Sequence, residues 1–474
     1  MSRCDMEPRV SRGLTPSART SAGILTRWST PTPTDMTTTT TEATDTHRRH
    51  PHQPGTARAA LSYRGFRILF IGTALSSIGT WMQNFTLPAY IDSRTGSATL
   101  VGLLVFVQLG PLLLLSIPAG MLADRLNRTR LVIAMQSVMM ILSIVLAVLV
   151  WRHAPLWTLF AAQLALGIAN TVNAPAFSAS IPMLVDRQDL AGAISLNSAM
   201  INGTRILGPA IAALLAAIGF SISQLFLVNS ATYLFLIAPL FFIALPQASG
   251  DLPERGWRRL TSGINVVRGR RVLSRSLLTM FMFSLVCLPY IGLFPSVARL
   301  NFGIEATGGS YKLLYVVWGL GAFFGALAVG TWLANFDKRR LIPIGMLAFA
   351  IFLGIFSLMS SVLIALPFAA ALGFVYFMSA TALSSVLQQN LADHERASAM
   401  PLWFMAFGGT IPIGNLIAGP IMDAVGARWV LGFGAVFAVF LAWWANLGRL
   451  SERDFLPVEA GGEPFQPVNA NRLF

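Results

Sequence analysis

The string Gly120-x-Leu122-Ala123-Asp124-Arg125-x-x-Arg128-x-Arg130 places one carboxylate among three guanidinium groups. That pattern suits ion pairs that form and break, because charge-assisted hydrogen bonds are strong and directional. Arg205 stands alone as a cation in an apolar run. Residues for bond-breaking chemistry are missing. His47, His50, His52, His153 and His394 all lie in polar segments between apolar runs or in the first sixty residues. No Cys-x-x-Cys, His-Glu-x-x-His or phosphate-cradling glycine-lysine string occurs, so metal hydrolysis and ATP drive have nothing to carry them. We therefore expect no catalytic residue, no metal site, no cofactor and no enzymatic activity.

Membrane helices must position these residues. Of the 474 residues, 54% are apolar and 11% charged, whereas a soluble domain carries roughly a quarter charged residues. With only Cys4 and Cys287, a secreted disulfide scaffold is excluded. Twelve apolar runs are long enough to cross a bilayer, which takes about 20 residues. They fall at 66–91, 98–122, 131–151, 156–180, 194–218, 224–245, 275–298, 310–334, 341–360, 362–387, 399–422 and 428–447. The net charge of +14 could suggest a nucleic-acid partner, but its placement argues against one. Segments on one side hold clusters such as Arg125, Arg128 and Arg130, or Lys338, Arg339 and Arg340. Those on the other hold only Arg94, Arg152, Arg299, Lys312 and Arg428. By the positive-inside rule both termini are cytoplasmic and the protein is a multi-pass inner-membrane protein.

The chain divides accordingly into a disordered cytoplasmic tail (1–60), a first six-helix bundle (61–245), a linker (246–274), a second six-helix bundle (275–447) and a cytoplasmic C-terminal tail (448–474). Met36 is a second candidate start, and no signal peptide precedes the first apolar run. In the linker, Leu260, Ile264 and Val267 have helical spacing beside Arg259, Arg268, Arg270 and Arg271. Such an amphipathic helix lies either on the anionic inner leaflet or in solvent. The bundles also repeat: Gly120 to Leu131 aligns with Gly330 to Leu341, both after the second helix of their half, with Ala334 in place of Asp124.

The Gly120–Arg130 string, between two membrane helices, resembles the loop signature of the major facilitator superfamily. The resemblance implies an all-α membrane protein of twelve transmembrane helices in two pseudo-symmetric bundles. It also implies a gating role for Gly120, Asp124, Arg125, Arg128 and Arg130, which latch one side shut until the halves rock. Gly120 would let helix backbones approach closely. More narrowly, Gly79-Thr80-Trp81-Met82-Gln83-Asn84, Asn173-Ala-Pro175-Ala176-Phe177 and Arg205-Ile206-Leu207-Gly208-Pro209 are similar to the transmembrane secretion effector family, which includes enterobactin-exporter-like proteins. This similarity covers about residues 63–445. Gly203-x-x-x-x-Gly208-Pro209-x-x-Ala212-Ala213 resembles the antiporter signature of exporters, with alanines where paired glycines stand. Physically, Pro209 kinks the fifth helix and its small neighbours permit tight packing, and that role alone would also explain them. Exporters often carry an arginine on the fourth helix; this chain has Gln163 before Gly167, which cannot titrate.

Arg205 lies near mid-bilayer, where insertion costs about 2.5–3.5 kcal/mol, so it should face the interior. Either it gives the path a positive field favouring anionic or neutral substrates, or it bonds helix-end carbonyls and Asn197 or Asn202 as structural glue. Gln83, Asn84, Gln108, Asn170, Asn173, Tyr290 and Tyr376 complete the expected substrate path, with Pro289 breaking the seventh helix. The expectation is a monomeric secondary transporter, embedded in the lipid bilayer, exporting a siderophore- or drug-like small molecule by alternating access. Proton antiport follows from resemblance only, with Asp92, Asp124 and Asp423 the available carboxylates. An importer or uniporter on the same fold, and a non-transporting receptor or scaffold, are the alternatives.

Overall fold

In a computed structural model, the described residues are 53, 55–178, 180, 183–242, 245 and 257–447. The expected N- and C-terminal tails and the start of the linker fall outside them. Every regular element among the described residues is helical. A short α1 (Ala57–Ser62) leads into α2 (Arg64–Thr95), α3 (Ala98–Arg125), α4 (Arg128–Trp151), α5 (Leu156–Ser178), α6 (Leu190–Ala217) and α7 (Ile222–Leu240). Then α8 (Trp257–Gly269) precedes α9 (Arg271–Met282), α10 (Pro289–Gly292), α11 (Phe294–Phe302), α12 (Gly309–Gly330), α13 (Lys338–Leu358), α14 (Val362–Gln389), α15 (Asp393–Phe404), α16 (Thr410–Val425) and α17 (Ala427–Trp444). Nine stretches among the described residues are long and apolar enough to cross a membrane. Their surfaces confirm the solvent they require. Phe433 is 64% and Val436 70% exposed, a burden that water would penalise and lipid does not.

Local chemistry sets the helix ends. Gly96 and Gly303 take the left-handed backbone that closes α2 and α11. Asn127 caps α4 by accepting from the Arg130 amide at 3.1 Å, and Asp337 caps α13 by accepting from the Arg339 amide at 2.9 Å. These two caps occupy equivalent places in the Gly120–Leu131 and Gly330–Leu341 strings. The repeat seen in the sequence therefore extends to how the helix following each string is started.

The run predicted at 275–298 is not one helix. After α9 a wider π turn spans Phe283–Cys287, and Leu288 separates it from Pro289. Proline lacks the amide that would continue the ladder. A second π turn, Met405–Gly409, joins α15 to α16. Helix α8 packs on α15, and Arg270, beyond its end, makes a two-pronged ion pair with Glu395 (2.7 and 2.8 Å) and donates to the Asn390 carbonyl at 2.8 Å. Val267 is buried in that contact region, so α15 covers part of the apolar face expected to meet lipid or solvent. At the start of the chain, the Tyr63 hydroxyl lies 2.8 Å from a carboxylate oxygen of each of Asp186 and Asp189. Burial and the two carboxylates raise its pKa, so the phenol stays a donor that ties α1 to the segment before α6.

Candidate functional site

Helices from before and after α8 meet around a cavity of about 480 Å³. Across it α3 packs on α16, α6 on α12 and α2 on α11. The volume is in the range of small-molecule sites, about 300–1,000 Å³.

Arg205 is the only Arg, Lys, Asp or Glu among the lining residues. Its guanidinium carbon sits 4.9 Å from the ring centre of Trp81, 5.8 Å from Phe377 and 5.9 Å from Phe407. Its Nε is buried without a hydrogen-bond partner. Three ring faces, each worth about 0.5–2 kcal/mol to a cation, hold the charge in place of a carboxylate. The guanidinium is thus surrounded by π faces that accept no conventional hydrogen bond. An incoming anion would meet a cation with donor capacity to spare. The contact with Asn197 that the second alternative called for is not made, although Asn197 lines the same cavity; the Asn202 side chain is outside the described residues.

Asn84, Gln108, Asn170, Asn173 and Tyr376 also line the cavity. Gln83 and Tyr290 do not. Gln83 is 3% exposed, and its Oε1 accepts from Ser143 and, at 2.8 Å, from Asn229. It ties α2 to α4 and α7. Tyr290 is buried behind Trp318, whose indole N–H donates to it at 3.1 Å. Gln163 is buried away from the cavity, and its Oε1 has no partner.

The cavity also has members not among the expected substrate-path residues: Trp81, Tyr311, Tyr315, Trp318, Phe377 and Phe407. Phe85 stacks on Tyr311 (centroids 5.1 Å, planes 3° apart) and meets Tyr315 at 4.7 Å. These rings cover the cavity on the side where α2 ends and α3 begins. Beyond them the Asp92 carboxylate, fully buried, accepts from Ser296 Oγ (2.6 Å), Arg299 Nε (2.9 Å) and Arg299 Nη2 (3.1 Å). This links α2 to α11. Asp423, near the end of α16, accepts from the Ala98 amide (2.8 Å), the Thr99 amide (2.8 Å), Thr99 Oγ1 (2.7 Å) and Ser97 Oγ (2.9 Å). A carboxylate there also meets the positive end of the α3 dipole. Two carboxylates thus fasten this end.

The opposite end holds the Gly120–Arg130 string. Arg125 and Arg130 are exposed. Arg128 is 5% exposed, with Nη1 3.2 Å from the Met183 sulfur. The Asp124 side chain is outside the described residues. Gly120 faces open space where a β-carbon would stand, so the close helix approach expected of it is not made. Gly208 has that role instead: a β-carbon there would lie 2.6 Å from Trp81 Cβ and 2.8 Å from the Ile78 carbonyl. Helix α6 continues through Pro209 to Ala217.

Residues 55–465 match the transmembrane secretion effector family. The staphyloferrin A transporter of Staphylococcus aureus is 25% identical over 374 residues, covering 76% of this chain and 90% of that protein. Enterobactin exporter EntS of Shigella boydii is 26% identical over 383 residues, 79% of this chain and 86% of its own. Macrolide efflux protein A of Streptococcus pyogenes is 23% identical over 288 residues, 58% of this chain and 68% of its own. Among solved structures, an inward-facing bacterial homologue of the human lysosomal transporter Spinster superposes with a TM-score of 0.64 at 15% identity, covering 83% of this chain and 98% of that one. The nucleoside transporter NupG gives 0.62 at 13% identity, covering 82% and 100%. At those identities the likeness is one of fold.

Proposed function

This chain belongs to the transmembrane secretion effector family of major facilitator transporters, and on that premise we propose that it exports a small organic molecule by alternating access. As a member of that family it is a multi-pass membrane transporter and not an enzyme. The observation that carries the export reading is the cavity between helices on either side of α8, with Arg205 as its one charged lining residue. A lone, ring-held guanidinium selects for anionic or neutral aromatic solutes and repels cations.

In this reading α2, α5 and the interrupted run α9–α11 join the nine apolar spans to make twelve crossings, six on each side of α8. Both termini are cytoplasmic, where the basic residues collect. The fastened end, with Asp92–Arg299 and Asp423, is then the outer one, and the cavity serves the cytoplasm. Asp124 and the arginines near it latch the inner end in the alternate state. Protons supply the drive. Asp92 holds α2 to α11 through Arg299, and loss of that link would loosen the two helices. The unit acts as a monomer.

The test is flux of naphthalene-1-sulfonate, an impermeant aromatic anion, in membrane vesicles under an imposed proton gradient. Everted vesicles containing the protein should accumulate it and right-side-out vesicles should not. The opposite polarity would make the protein an importer, and no flux in either orientation would remove the transport reading.

A further inference from the structure

The cavity has two chemically different walls. Every Ser, Thr, Asn and Gln that lines it belongs to α2–α6, among them Thr73, Ser76, Asn84, Gln136 and Asn173. The wall from α10 onward contributes none of these residue types; its polar atoms are the hydroxyls of tyrosines and the indole N–H of Trp318, set among rings and aliphatic groups. No general rule of membrane folds requires that segregation.

A second observation concerns three residues of the polar wall. Thr73 on α2, Gln136 on α4 and Asn173 on α5 are 7%, 4% and 8% exposed, and each has a buried side-chain oxygen with no hydrogen-bond partner. A buried acceptor without a partner costs about 1–3 kcal/mol. Three such groups on three helices lie at one cavity, where a solute could supply the missing bonds. Thr73 and Trp81 line the same cavity from α2, eight residues apart, which is about 12 Å along a helix axis. The polar group therefore lies one small-molecule length from the Arg205–Trp81 contact, toward the end where α2 begins.

We propose that the cavity takes a two-part solute: an aromatic anion seated at Arg205 against the rings, joined to an arm rich in hydroxyl or amide donors that bonds Thr73, Gln136 and Asn173. The Gln136 and Asn173 oxygens are acceptors, while the Thr73 hydroxyl both donates and accepts, so the arm must bring donors to the two amides. The absence of any lining carboxylate removes the partner that a cationic arm would need. The wall from α10 onward offers mostly ring faces beside a few tyrosine hydroxyls, and stacking tolerates sliding, which lets that half move across the solute while the polar half keeps its grip. This proposal rests on the export reading and names its substrate class.

The test compares two probes binding to the purified full-length protein in detergent, followed by tryptophan fluorescence. One is 4-methoxybenzoate, an aromatic carboxylate without donors; the other is 4-carboxyphenyl β-D-glucoside, the same ring carrying a hydroxyl-rich arm. Wild type should bind the glucoside at least about tenfold more tightly, as two or three added hydrogen bonds of ordinary net strength require. Gln136→Ala combined with Asn173→Ala should abolish that preference while leaving 4-methoxybenzoate affinity unchanged. The near-isosteric Thr73→Val should remove part of it with no loss of thermal stability, since the oxygen it deletes bonds nothing in the protein. Equal affinity of the two probes for wild type, failure of both to bind, or a preference that survives the double substitution and Thr73→Val would each overturn the proposal. Binding in detergent does not depend on transport. A preserved preference without vesicle flux sinks the export reading alone, and flux without the preference sinks the two-part site alone.

Discussion

Arg205 concentrates the chemistry of the cavity, and its environment is unusual for a buried charge. Its guanidinium is offset by the faces of Trp81, Phe377 and Phe407 and not by a carboxylate. Arg205→Ala should therefore cost transport without costing the fold. We expect naphthalene-1-sulfonate flux to fall at least about tenfold, and the melting temperature in detergent to hold or rise, because an isolated charge is costly to bury. Arg205→Lys should recover only part of the flux, since a compact ammonium stacks on rings less well than a planar guanidinium. Full flux in Arg205→Ala would reduce the residue to structural glue. The depth of Arg205 was legible in the sequence, but its neighbours were not. Trp81, Phe377 and Phe407 come from three distant helices and read as ordinary apolar residues. Gln83 and Asn84 show the same limit. They are adjacent, so a helical turn points them about 100° apart. Gln83 bonds Ser143 and Asn229 inside the first group of helices, while Asn84 reaches the cavity. A membrane helix is apolar on nearly every face, so periodicity offers no clue to which side a given amide takes.

At the scale of the helix, the small residues of α6 separate into two kinds. Gly208 lies against Trp81 and the backbone of α2, and Gly203 faces open space. Gly208→Val should push α6 from α2, destabilising by about 1–3 kcal/mol as overpacking does and displacing Trp81 from Arg205. Gly203→Ala should be neutral or stabilising by up to about 1 kcal/mol, because alanine favours a helix over glycine. Thermal unfolding of the two variants decides it; equal effects would mean that the motif acts as a unit and not through one contact. The break of the seventh run was legible from Pro289. The π turn at Met405–Gly409 was not, although it brings Phe407 to the cavity; Gly408-Gly409 was the available signal, and glycine pairs are too common in membrane helices to mark it. The Gly120 string could be located from sequence because loops between apolar runs are easily placed. What Gly120 touches depends on a partner helix that the local string does not contain.

For the whole molecule, the proposal is that one cavity is reached from opposite sides of the membrane in turn, and that the Asp92–Arg299 link between α2 and α11 holds one of those sides shut. The helical class, the basic asymmetry and the repeat were legible because lipid imposes length and charge rules on every crossing. The clasp was only partly so: Asp92 stood out as a carboxylate near a helix end, but its partner is 207 positions away in the chain. The most direct measurement is the labelling of Asn84→Cys, a cavity position on α2, with an impermeant maleimide added from either side of oriented vesicles. With Asp92 in place, label should enter from the side bearing the loop between α3 and α4. With Asp92→Asn, a substantial share should enter from the opposite side. Labelling from that opposite side in the presence of Asp92, or a pattern that Asp92→Asn leaves unchanged, would contradict a cavity gated by this clasp.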